Sequence, residues 1–246
     1  MSEHSAAPGA AQQPEALEPP NVGTWATPPR IGSHLAGQVR DCIVDLPWYP
    51  ITPLLRHWHL TWGATPAEVA AAMPGDRLLP HAQYRTTRAI TINARPGEVW
   101  PWLVQVGYRR AGWYAGDLLD NFARPSIRRI VPELQDLRAG QWLSMVPKPS
   151  ERSAFLVDSF EEPSWLLWRT PNRSWSWRLT PVSGGRTRLI TRMRTVYEWR
   201  RPLVPITVVL MECADYPMMR RMLRGIRDRA EAVRSNRSPD REHHSR

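Results

Sequence analysis

The stretch Ser174–Trp199, SWSWRLTPV-SGG-RTRLITRMRTVYEW, decides how this chain folds. The Ser183-Gly184-Gly185 turn separates two segments rich in β-branched and aromatic residues, which predicts an antiparallel hairpin over about 174–182 and 186–199. Side chains alternate between the two faces of a strand. Trp175, Trp177 and Leu179 therefore share one face with Leu189, Thr191, Met193, Thr195 and Tyr197. Ser176, Arg178 and Thr180 share the other with Arg188, Ile190, Arg192 and Arg194. One face is apolar with threonines set among large side chains; the arginine face is expected to be solvated.

Working outward, further strands are predicted at about 141–147, 153–161 and 164–170, and an earlier one over Tyr84–Ile92 (YRTTRAITI). Pro96 opens a helix carried by Val99, Leu103 and Val106 and ended by Gly107; Pro101 should bend its first turn or restart it. Pro125 and Pro132 break residues 108–140 into short pieces. After an apolar turn at Ile206–Met211, Met219, Leu223, Ile226, Ala230 and Val233 recur at helical spacing. They predict an amphipathic helix over about 217–234, with Arg220, Arg221, Arg224, Arg227 and Arg229 toward solvent. Thr65-Pro66-Ala67-Glu68 is a capping box that predicts a short helix at 66–72, stopped by Pro74-Gly75. The expected layout is a tail at 1–30, a Pro- and Trp-rich arm at 31–80, a main domain at 81–233 and a second tail at 234–246. Strand, helix, five antiparallel strands and a long final helix make an α+β fold, read as a strongly curved sheet with the helix on its concave face.

The 246 residues include 13 Trp against 3 Phe, and of 33 basic residues a single one, Lys148, is lysine. Their net charge of +10 is unevenly spread: residues 1–80 sum to −3 and residues 81–246 to +13. Such a balance raises the question of nucleic acid. No recognition motif accompanies it, and nucleic acid is not the expected partner. The N-terminus has neither a basic start nor an apolar run, and no stretch of about 18 apolar residues occurs, so a cytoplasmic chain without a membrane span is expected. Cys42 and Cys213 are too few for a disulfide framework. His57 and His59 would share a face of an extended segment but lack a third ligand, so no metal is expected. No phosphate loop, dinucleotide fingerprint or serine elbow appears, and no cofactor is expected.

Trp100-Pro101-Trp102-Leu103-Val104-Gln105-Val106-Gly107, followed by Arg110-Ala111-Gly112-Trp113-Tyr114, Asp117, Asp120-Asn121 and Pro132-Glu133-Leu134-Gln135, resembles bacterial proteins of the START/Bet v 1-like superfamily, also called the SRPBCC or polyketide cyclase-like group. The resemblance spans about 61–233, including Trp62-Gly63-Ala64-Thr65 and Met211-Glu212 through Gly225-Ile226. It implies a helix-grip fold whose cavity, between sheet and C-terminal helix, holds a hydrophobic small molecule. It does not single out a reaction.

Cavity lining is the first role to weigh. If the Trp175 face is concave, Trp175, Trp177, Thr191, Met193, Thr195 and Tyr197 surround a ligand, with Trp102, Trp113, Tyr114 and Met219 contributed by the helices and the loop. Buried indole N–H and threonine hydroxyl groups need partners, which suits a ligand with an apolar body and a few polar groups. The alternative is plain packing, since threonine is a good strand former. For proton transfer the candidates are Asp117, Glu212, Asp215 and Tyr114. Buried carboxylates could serve as acid or base; Asp117 could equally cap or face solvent, and Glu212 and Asp215 could pair with arginine. The reading is a binding protein for a lipid, aromatic or polyketide-like ligand. A cyclase or dehydratase acting on such a ligand is the alternative, and a peripheral membrane or nucleic-acid binder using the Arg-rich outer face and the C-terminal helix is a third, less favoured than plain solvation of that face.

Overall fold

A computed structural model describes residues 39–40, 43–44, 47, 51–122, 124–147 and 149–237. The expected tail at 1–30, residues 238–246 of the second tail, and Cys42, Trp48 and Tyr49 of the arm lie outside the described residues. In chain order the elements are helices α1 (Arg56–Leu60) and α2 (Pro66–Ala70), strand β1 (Tyr84–Ile92), helices α3 (Pro96–Val104) and α4 (Asp117–Asp120), strands β2 (Trp142–Ser144), β3 (Ala154–Glu161), β4 (Trp165–Thr170), β5 (Arg173–Val182) and β6 (Arg186–Thr195), and helices α5 (Val204–Cys213) and α6 (Asp215–Arg237). Short 3-10 turns at Thr52–Leu55 and Pro132–Leu134 complete the set.

The strands form one antiparallel sheet in the order β1-β6-β5-β4-β3-β2. The sheet is open, with β1 and the three-residue β2 as its edges, so it does not close around a helix as the strongly curved sheet of the expectation would. Helices α3 and α6 pack on one face. The β5–β6 register joins Trp175 to Met193, Trp177 to Thr191 and Leu179 to Leu189, which places the apolar parity on that inner face. Tyr84, Arg88 and Ile92 of β1 lie on it too, opposite Thr195, Thr191 and Thr187. Phe155, Val157, Leu166 and Trp168 continue the core, closed by Val99, Trp102 and Leu103 of α3 and Leu223, Ile226 and Ala230 of α6. Each of the valine, leucine, isoleucine and phenylalanine side chains contributes roughly 1.5–3 kcal/mol by leaving water.

Three local expectations change. Pro101 sits inside a helix that runs on from Pro96 without restarting, giving up only the one bond its missing N–H would have sent back to the Gly97 carbonyl. Helix α6 continues to Arg237, so residues 234–237 are helical instead of part of a tail; Arg234 is tied down by its bonds to the Asn93 and Gly185 carbonyls. His57 and His59 lie in helix α1, where a spacing of two separates them, and His57 is exposed while His59 is buried.

The larger change concerns the arginine face, which is not solvated. Residues 63–79 lie across it. Arg188 donates to both Glu68 carboxylate oxygens (2.7 and 2.8 Å) and Arg192 to Asp76 Oδ2 (2.7 Å) and to the Glu68, Val69 and Ala71 carbonyls. Arg194 donates to Asp76 Oδ1 (3.0 Å) and the Leu79 carbonyl, and Arg178 to the Ala72 carbonyl. A guanidinium has five donors, and the last-turn carbonyls of α2 and the irregular residues after it are free to accept them. Glu68 is held down at about pKa 2 by its Arg188 hydrogen bonds. That carboxylate also closes the Thr65 capping box of α2.

Candidate functional site

A cavity of about 330 Å³ lies between the inner sheet face and helices α5 and α6. Its walls are Trp113, Phe155, Trp175 and Met193, with Met211, Met218, Met219 and Met222 from the helices and Met145 after β2. Six of the chain's eight methionines thus line one space. Trp113 and Trp175 stack with ring centres 6.1 Å apart and planes 11° from parallel. The rim is exposed at Phe122, Leu210 and Met218.

Two of the lining residues are charged, Arg173 and Asp215. Asp215 opens helix α6 and is buried; its Oδ2 accepts from Arg88 Nη1 at 2.6 Å and from the Tyr84 hydroxyl at 2.9 Å. Arg88 is 1% exposed, and its Nε donates to the His59 carbonyl at 2.8 Å. Burial is the largest single influence and works against the Arg88 charge, but Asp215 and Tyr84 together outweigh it and keep the guanidinium pKa above its ordinary value. Burial, then the Asp215 charge, pushes the Tyr84 phenol up. Burial, then the charge on Arg88, lowers His59 to about 4, so this histidine is neutral at pH 7.

Arg173 begins β5 on the inner face, opposite Thr195 of β6. Burial lowers its pKa, and Asp215 and Tyr197 are its electrostatic neighbours. Arg173 Nε, Thr195 Oγ1 and the Tyr197 hydroxyl are buried without a hydrogen-bond partner among the described residues. The Tyr197 phenol is pushed up to about 12, chiefly by burial.

Of the residues singled out from the sequence, Trp113, Trp175, Met193, Met219 and Asp215 line the cavity together. Trp102 packs edge-on against Tyr114, and Trp177 is fully buried against Trp168 and Trp175. Thr191 accepts from Trp175 Nε1 at 2.8 Å and donates to the Ser176 carbonyl, so the pair satisfies itself within the sheet. Thr195 is fully buried next to Arg173, and Tyr197 packs with Tyr84 and Val204. Tyr114 lies under the Arg229 guanidinium, 4.3 Å from the ring centre, and accepts from Gln105 Nε2. Burial raises its phenol pKa, which makes it a poor proton shuttle, and Arg229 is folded back from solvent to cover it. Asp117 accepts from Ser126 Oγ, and Glu212 pairs with Arg56 at 2.9 Å. Among the described residues no three His, Cys, Asp or Glu side chains gather as a metal site.

The motif around Trp100–Gly107 does mostly structural work. Buried Gln105 donates to Tyr114 and the Arg129 carbonyl and accepts from Val131 N and Gln135 Nε2, while Arg110 donates to the Val104 and Leu134 carbonyls. Together they fix the 108–135 loop that presents Trp113 to the cavity. Sequence reading missed Arg88, Arg173, Phe155 and most of the methionines. Parity held the signal for the two arginines, since Arg173 lies two residues before Trp175 once β5 starts at 173 and not 174. The cluster of four methionines within 211–222 held the other.

No family model matches the chain, and no curated protein does. Solved structures that the chain is similar to include the self-sacrificing resistance protein CalC from Micromonospora echinospora, at 12% identity and TM-score 0.38 over 61% of this chain and 95% of that one. A polyketide cyclase-like protein from Corynebacterium glutamicum matches at 16% and 0.33 over 65% and 95%. A protein from Rhodobacter sphaeroides matches at 19% and 0.37 over 61% and 93%. Likenesses this distant carry no argument about function.

Proposed function

We propose that this chain binds a hydrophobic or amphipathic small molecule, lipid-like, aromatic or polyketide-like, in the cavity between the sheet and the C-terminal helices. The observation that carries the reading is the lining: six methionines and a stacked tryptophan pair around about 330 Å³. Unbranched thioether side chains adapt to irregular apolar shapes and contact aromatic rings favourably. The volume is at the low end of the roughly 300–1,000 Å³ usual for ligand pockets and suits a compact molecule. A helix-grip member of the SRPBCC superfamily spanning about 81–233, preceded by a packed arm at 31–80, is part of this proposal; the element order and the Trp100–Gly107 motif support it. Binding is favoured over catalysis because Asp215, the one proton-transfer candidate among the lining residues, already accepts from Arg88 and Tyr84.

The reading is tested by mass spectrometry of the gently purified full chain under native and denaturing conditions, alongside tryptophan fluorescence titrated with lipid and aromatic panels. A co-purifying small molecule, or saturable quenching, is expected. An empty protein with an unresponsive emission spectrum would overturn it.

A further inference from the structure

The charges around the cavity do not cancel. Arg88 is matched by Asp215 at 2.6 Å and Arg56 by Glu212 at 2.9 Å. His59, packed beside this group, is neutral at pH 7. Arg173 is left over: it lines the cavity, forms no ion pair among the described residues, and its Nε is buried without an acceptor. Thr195 Oγ1, on the residue directly across the strand pair, and the nearby Tyr197 hydroxyl also lack partners. Buried charges in proteins are normally paired and buried donors hydrogen-bonded. Here a cavity-lining cation has two hydroxyls for neighbours that, among the described residues, have no partner of their own.

We infer that Arg173 is the anchor for a ligand carrying a single carboxylate, held by the guanidinium while its apolar body lies among the methionines and against Trp175. This rests on the binding reading above and deepens it: the ligand class narrows from any apolar molecule to a compact aliphatic or aromatic acid. A carboxylate suits the site because the planar guanidinium fork matches its two oxygens and one negative charge balances the one uncompensated cation. A phosphate dianion would exceed that charge, with Asp215 close by to repel it. A neutral alcohol of the same chain would leave Arg173 unmatched.

The test titrates the full chain calorimetrically at pH 7 with decanoate, decan-1-ol and decyl phosphate, which share one apolar body. Decanoate is expected to bind at least tenfold more tightly than either of the others. Arg173→Gln should bring decanoate down to the level of decanol without weakening decanol, and Arg173→Lys should retain part of the preference. Equal affinity for decanoate and decanol in the unaltered chain would overturn the anchor while leaving the binding reading in place, and tighter binding of decyl phosphate would overturn the carboxylate assignment. No binding of any of the three, together with an unresponsive lipid and aromatic panel, would sink the binding reading itself. If Arg173→Gln does not fold, the three-probe comparison on the unaltered chain still decides.

Discussion

Arg88 of the first strand and Asp215 at the start of the last helix meet at 2.6 Å, 127 positions apart in the chain, with Tyr84 sharing the same carboxylate oxygen. The pair fastens the N-terminus of α6 to the edge strand and so sets one wall of the cavity. Removing one partner of a buried pair leaves an uncompensated charge, which costs about 3–5 kcal/mol. Asp215→Asn and Arg88→Met should each lower the free energy of unfolding by that order in urea titrations. The double variant should lose clearly less than the sum of the two, because neither charge then remains stranded.

Asp76 holds two arginines of the outer sheet face, Arg192 at 2.7 Å and Arg194 at 3.0 Å. Arg192 is 6% exposed. Asp76→Ala is therefore expected to destabilise by about 2–4 kcal/mol. It should also loosen residues 63–79 from the sheet, which hydrogen exchange would register as faster exchange there and at Thr87, whose hydroxyl accepts from Arg192 Nε. Unchanged exchange across 63–79 would show that the carbonyl contacts hold the segment without Asp76.

Stability should fall in mild acid because of His59. Its folded pKa of about 4 lies below the ordinary 6.5, so the unfolded chain takes up a proton first as pH drops. The contribution is complete above about 6.5, is lost progressively down to about 4, and amounts to roughly 3 kcal/mol. Glu68 adds a second loss at lower pH, from its ordinary value of 4.5 down to about 2. Replacing His59 with Leu should flatten the unfolding midpoint between pH 6.5 and 4 and leave the steeper loss below it.

Gly225 lets helix α6 touch the 108–135 loop. A Cβ there would stand 2.3 Å from the Tyr114 carbonyl oxygen and 2.7 Å from its Cβ. Tyr114 has little freedom to retreat, since it already sits at φ 58° and is hydrogen-bonded through Gln105. Gly225→Ala, ordinarily favourable in a helix, should cost about 1–3 kcal/mol here. Thermal unfolding and near-ultraviolet circular dichroism would report it, the latter through the displaced Trp113.

Much of the sheet could be read directly from the residues. Strand β1 begins and ends where its β-branched run does, the Ser183-Gly184-Gly185 turn pairs β5 with β6, and Trp175, Trp177 and Met193 share the face their parity assigns. The capping box at Thr65 and the amphipathic period of α6 were equally legible. Where reading failed, it extended a local rule too far. Alternation places arginines on one face of a sheet but cannot say whether water or another segment covers that face.

By itself, then, the sequence determined most of the strands and helices after Tyr84 and which sheet face the residues of β5 and β6 take, because those properties follow from periods of two and about 3.6 and from short-range capping. Tertiary structure alone decided that residues 63–79 cover the arginines, that Asp215 is matched by Arg88 while Arg173 has no ion pair among the described residues, and that six methionines enclose one cavity. Those facts depend on contacts between residues often more than 100 positions apart. Charge balance and cavity shape are set by which surfaces meet in space, and no local spacing encodes that.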